Sequence, residues 1–149
     1  MKTIRSTLFV AALAVLAVSC SSNDSTSPNT AGAGTYTLTT VNGQALPFSL
    51  TSTTLNQVVI QSATITLTPG NPSSSYTATI SGSINGSPTT QLISDTGTYT
   101  VSGATLSFSS SSFLLLSYGG SFTSNTLTVN LPAQAFGGSG TLVLGLTKS

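Results

Sequence analysis

The sequence predicts an all-β fold: an antiparallel up-and-down, or meander, β-barrel of about 8–10 strands. Three observations carry this. Apolar residues from position 34 onward recur every second residue, with threonine and serine between them, as a sheet with one buried face requires. Turn dipeptides interrupt that alternation at near-regular spacing. Helix formers are scarce, since glutamate is absent and alanine is scattered. A β-sandwich is the alternative. Tight turns between consecutive strands favour the meander. Closure also removes sheet edges, which matters for a body almost without lysine to guard them.

Taken in order, Tyr36 and Leu38 alternate with Thr35, Thr37 and Thr39, and Asn42-Gly43 marks a turn. Phe48 and Leu50 start a short strand. Residues 57–68 form a long one, with Val59, Ala63, Ile65 and Leu67 on the inward parity, and Pro69-Gly70-Asn71-Pro72 ends it. Tyr76, Ala78, Ile80 and Ile84 share the next inward face, and Asn85-Gly86 turns the chain. Residues 89–94 and 97–101 read as two strands, the second with Tyr99 and Val101 on one side. Ser102-Gly103 turns into Leu106 and Phe108. Residues 113–118 are an apolar run, either a strand buried on both faces or a rim facing lipid or a partner. Gly119-Gly120 should break or bulge it. After Phe122 and the turn at Ser124-Asn125, Leu127, Val129 and Leu131 alternate with polar residues. Pro132 interrupts, residues 137–140 turn, and Leu142, Leu144 and Leu146 mark the last strand.

The chain's start is of another kind. Lys2 and Arg5 precede eleven apolar residues, 8–18. A spanning helix needs about 20, so a secretory signal peptide over residues 1–19 is expected. The single cysteine, Cys20, excludes an intrachain disulfide. Ala17-Val18-Ser19-Cys20 resembles a bacterial lipobox, which implies cleavage before Cys20 and a diacylglycerol on its thiol. Several acyl chains, palmitate among them, anchor a protein stably where one does not. The resemblance therefore implies a membrane-bound lipoprotein. Ser21, where aspartate commonly retains such proteins at the inner membrane, points to the outer membrane of the bacterial cell envelope. Residues 20–33 read as the acylated cysteine and a flexible Ser/Asn/Pro tether, with an end-to-end distance of about 20 Å. The barrel domain is placed at 34–149.

Chemistry is limited by what the sequence lacks. Histidine, tryptophan and glutamate are absent, and the acidic residues are Asp24 and Asp95. Neither a metal site nor a paired-carboxylate or Ser-His-Asp mechanism can be assembled from this set. No catalytic residue, cofactor or metal is expected, and no nucleic-acid partner, for want of a basic patch. Asp95, before Thr96-Gly97, is expected to bond the backbone of a turn. The aromatics Tyr36, Tyr76, Tyr99, Phe108 and Phe122 are the candidates to line a ligand pocket or fill the core.

The stretches Gly34-Thr35-Tyr36-Thr37-Leu38, Val41-Asn42-Gly43 and Leu46-Pro47 resemble the opening of small bacterial lipocalin-like lipoproteins. Gly97-Thr98-Tyr99, Ser102 to Leu106 and the closing Gly140 stretch follow the same pattern. The resemblance implies a calycin-type barrel with Tyr36 in place of the usual tryptophan and Lys148 packing beside it at one barrel end. It makes a non-enzymatic binding module for a small apolar or amphipathic ligand the first functional expectation. The alternative is a filled barrel acting as a structural or interaction protein of the envelope, binding polymer or protein, an inhibitor being one form. A cavity above about 300 Å³ would favour the first.

Overall fold

The computed structural model describes residues 30–52, 56–71, 73–112 and 117–149. Ten strands lie among them: β1 (Gly34–Val41), β2 (Gln44–Ala45), β3 (Phe48–Ser52), β4 (Asn56–Thr68), β5 (Ser74–Ile84), β6 (Ser87–Ser102), β7 (Thr105–Ser110), β8 (Ser117–Phe122), β9 (Thr126–Pro132) and β10 (Thr141–Lys148). Strands β4 to β10 pair consecutively, and β10 pairs with β1. Antiparallel pairing of β1 with β4, Gly34↔Leu67 through Thr37↔Thr64, closes an eight-stranded meander barrel. The signal peptide, Cys20 and most of the tether lie outside the described residues, as do positions 113–116 of the apolar run.

Closure covers only the first half of β1. Beyond Thr37 the two strands part, and each finds another partner: Thr40 and Val41 pair with β2, while the first residues of β4 pair with β3. The connecting Leu46, with Phe48 and Leu50, packs half-buried against the core. The fork between β1 and β4 is thus filled by the chain that links them.

Two bulges reverse the parity that simple alternation assigns. The register slips between Leu38 and Thr40 against β10, so Tyr36 and Leu38 point inward and then Val41 does. A second slip falls between Ile60 and Ser62 against β5. The extra residue moves the inward face from Val58 and Ile60 to Ala63, Ile65 and Leu67. Val59, assigned inward by period, is only half-buried. Ile84 is likewise half-buried at the strand end.

Residues 89–94 and 97–101 belong to one strand. β6 runs through both, and the irregularity that suggested a break is a slip against β5, where Ile93 faces Ile80 but Thr89 faces Gly82. Gly119-Gly120 neither breaks nor bulges β8, whose register with β7 is continuous. A Cβ at Gly120 would meet the Thr128 carbonyl at 2.5 Å and the Phe108 ring at 3.2 Å. The glycine admits a close neighbour instead of ending the strand. A 3-10 helix, Ala133–Phe136, follows Pro132 where no helix was expected, and it buries Ala133 and Phe136. Residues 30–33, expected as tether, form a turn with Ala33 N–H donating to Thr30 O at 3.0 Å. The Tyr36 hydroxyl holds that turn to the barrel by donating to Gly32 O at 2.7 Å.

Both Asn-Gly turns form as expected. Asn42 and Gly43 have φ of 51° and 76°, Asn85 and Gly86 of 49° and 79°, the paired positive values of a type I′ hairpin turn. Each asparagine also reaches a neighbouring strand, accepting from Val143 N–H at 2.8 Å and from Gln57 N–H at 3.1 Å.

Candidate functional site

The barrel interior is where the candidate aromatics converge. Tyr36, Tyr76, Tyr99 and Phe108 are buried, and Phe122 is half-buried against the same core. Phe108 on β7 is the hub. It stacks on Tyr118 at 5.0 Å, meets Tyr76 edge-on at 5.1 Å and leans on Tyr99 at 6.3 Å. These separations are those of favourable aromatic pairs. Lys148 Nζ lies 5.9 Å from the Tyr36 ring centroid, and the two residues are register partners on β10 and β1. They share one barrel end.

Asp95 is not a turn residue. It lies in the middle of β6, only 4 % exposed, with its side chain inside the barrel. Oδ2 accepts from the Tyr76 hydroxyl at 2.6 Å and the Tyr118 hydroxyl at 3.0 Å. Oδ1 accepts from Ser110 Oγ at 2.5 Å and Ser112 Oγ at 3.1 Å. A carboxylate offers about four lone-pair positions, and these four hydroxyls supply two donors to each oxygen. They come from β5, β7, β8 and the segment after β7, so one side chain gathers that wall of the barrel. The same segment is laced to β6 from outside. Ser111 N–H and Oγ both donate to Thr96 O, at 2.8 and 2.9 Å, and Thr96 N–H donates to Ser112 Oγ at 2.8 Å.

The phenols are held protonated. Burial pushes the Tyr76 and Tyr118 pKa values well above the ordinary tyrosine value. The hydrogen bond to Asp95 adds to this at Tyr76, and the neighbouring Tyr76 hydroxyl adds to it at Tyr118. Burial likewise raises Tyr36 and Tyr99. The Tyr99 hydroxyl has no partner meeting hydrogen-bond geometry. The Ser74 hydroxyl, opposite in the ladder, is nonetheless close enough to offset part of the burial.

Among the described residues, little room remains beside Asp95. A cavity of about 20 Å³ sits beside Asp95 and Tyr118, walled by Ile65, Ile80, Ile93 and Leu144 among others. That is space for about one water molecule. No cluster of three metal-ligating side chains occurs among the described residues.

No protein-family model, curated protein or solved structure matches the chain. The site therefore has to be read from its own geometry. Of the sequence-derived candidates, Tyr76, Tyr99 and Phe108 meet in one aromatic cluster, Tyr36 is buried beside Lys148 and Gly32, Phe122 packs half-buried against the core, and Cys20 lies outside the described residues. Asp95, Ser110 and Ser112 were missed as a cluster. A signal for Asp95 existed: it is in phase with the inward Ile93 and Tyr99 on the same strand.

Proposed function

We propose that this is a lipid-anchored lipoprotein of the bacterial outer membrane whose lipocalin-like barrel is filled and works through its outer surface, as a non-enzymatic structural or interaction protein. The observation that carries this reading is the 20 Å³ interior cavity. Ligand pockets for small molecules are typically about 300–1,000 Å³, so an acyl chain could enter only by displacing the aromatic layer and the hydroxyls around Asp95. The charged lead, the short apolar run and Cys20 support the anchor. The absence of histidine and glutamate supports the non-enzymatic part.

Native mass spectrometry of the full-length protein extracted from its membrane tests the reading. The expected spectrum shows covalent acylation at Cys20 and no further bound lipid. Palmitate labelling should vanish in Cys20→Ser. A stoichiometric non-covalent lipid retained by Cys20→Ser would overturn the filled-barrel reading, and an unlabelled wild type would overturn the anchor.

A further inference from the structure

The outer face of β4 to β8 carries an unbroken transverse row of hydroxyl side chains. Thr68 pairs with Ser75, Ser75 with Thr98, Thr98 with Ser109 and Ser109 with Ser117. All five are exposed. Strands lie about 4.8 Å apart, so the row extends roughly 19 Å around the barrel. Four of the five line two shallow open grooves of about 420 Å³ each, Ser75 one and Ser117 the other, and the grooves share Thr98 and Ser109. The groove that holds Ser117 is also lined by Gly119, whose position faces outward beside Ser107 and has no side chain.

We propose that this groove binds a neutral polysaccharide in extended form. The inference rests on the surface-acting reading above and names its partner. Hydroxyls both donate and accept, as sugar hydroxyls do, and their spacing along the row is close to the advance per sugar in an extended pyranose chain. Charge complementarity points the same way. The charged side chains among the described residues are Asp95, which is buried, and Lys148, on β10 two strands beyond Thr68 and outside the row. A polyanion or nucleic acid needs a run of basic side chains, and this face offers none. A protein partner would need aromatic or apolar anchors, whereas the large hydrophobic residue exposed on the described surface is Val143, on β10. Exchanging water for sugar across hydroxyls gains little at each contact. Single-site affinity is therefore low, and retention depends on many anchored copies engaging one polymer.

The test is co-sedimentation of the full-length lipoprotein, reconstituted at high density on silica-supported bilayers, with soluble neutral glucans and mannan labelled for detection, against alginate as the anionic control. At least one neutral polymer should be captured tenfold or more over alginate. Gly119→Glu and Thr98→Glu should each lower capture at least fivefold. A Cβ at Gly119 meets only the Leu106 carbonyl at 3.8 Å, so that variant folds, and its melting curve checks it. Thr141→Glu, exposed on β10, should leave capture unchanged. Capture of no neutral polymer, equal capture by the groove variants, or equal loss in Thr141→Glu would overturn the groove assignment. So would photo-cross-linking from position 98 to an envelope protein in place of glycan. None of these results touches the filled interior, which the lipid measurement tests separately.

Discussion

Asp95 and Tyr99 stand four residues apart on β6, both buried and both facing the same interior, yet their polar groups are treated in opposite ways. Each oxygen of Asp95 receives two hydroxyl donors, drawn from β5, β7, β8 and the segment after β7. The Tyr99 hydroxyl has no partner at hydrogen-bond geometry. The difference shows where this barrel depends on polar bonding and where it depends on packing alone. Around Asp95, acceptor and donors are interdependent, because a buried donor left unmade costs about 1–3 kcal/mol. Around Tyr99, the ring supplies the contact through Phe108, and the hydroxyl is only tolerated.

The sharpest break in this contrast is Asp95→Leu. It removes the acceptor of Tyr76, Tyr118 and Ser110 together, and we expect a loss of about 3–6 kcal/mol in urea unfolding, from two or three stranded donors. Adding Tyr76→Phe, Tyr118→Phe and Ser110→Ala to Asp95→Leu should restore most of that stability, because an all-apolar replacement leaves no donor unmet. If Asp95→Leu alone unfolds at wild-type urea concentration, the cluster is not what holds β5 to β8 together.

The second effect is alkaline. The folded pKa values of Tyr76 and Tyr118 lie above the unfolded tyrosine value of about 10. Below that unfolded value both states hold the proton, and the contribution to stability is fully present. As pH rises past it the unfolded chain releases protons that the native state keeps, so stability falls until the folded pKa values are passed. Melting temperature should therefore decline steeply above about pH 10. Phenolate absorbance from Tyr76 and Tyr118 should appear with unfolding and not before it. Early ionisation of both in the folded protein would mean that water reaches the cluster.

Much of this architecture was legible in the alternation of threonine with leucine, valine and isoleucine, because one face of every barrel strand is buried. The Asn-Gly turns were legible for the same kind of local reason. The parts that were not are those decided between strands. The bulge near Gln61 leaves no mark in composition, yet it turns Val58 inward and Val59 aside. Gly120 looked like a break because its reason for being small, the nearby Phe108 ring and Thr128 carbonyl, comes from other strands. Asp95 was assigned to a turn on the strength of its neighbour Gly97. Its hydroxyl donors lie 15 to 23 positions away in sequence, and only the barrel brings them to it.

A smaller effect separates the two tyrosines that share Oδ2. Tyr118→Phe removes the 3.0 Å bond but leaves Tyr76 on the same oxygen and the ring stack on Phe108 in place. A loss of about 1–2 kcal/mol is expected, read as a lower urea midpoint at unchanged slope. A changed slope would show that β8 itself has loosened from the barrel, since exposed area sets it.

The smallest expected effect belongs to Tyr99→Phe, and it decides whether the contrast is real. The ring and its contact with Phe108 are retained, and only a buried hydroxyl without a geometric partner is removed. An unmet polar atom costs free energy in the folded state that the unfolded chain, bonded to water, does not bear. The variant should therefore be between neutral and about 1 kcal/mol more stable than the wild type. Ser74→Ala should be equally silent, and the double variant should equal the sum of the two single ones. A coupling energy above about 0.5 kcal/mol between positions 74 and 99 would reveal a hydrogen bond in solution. Both polar groups of β6 would then be satisfied, and the two ends of the interior would no longer differ in kind.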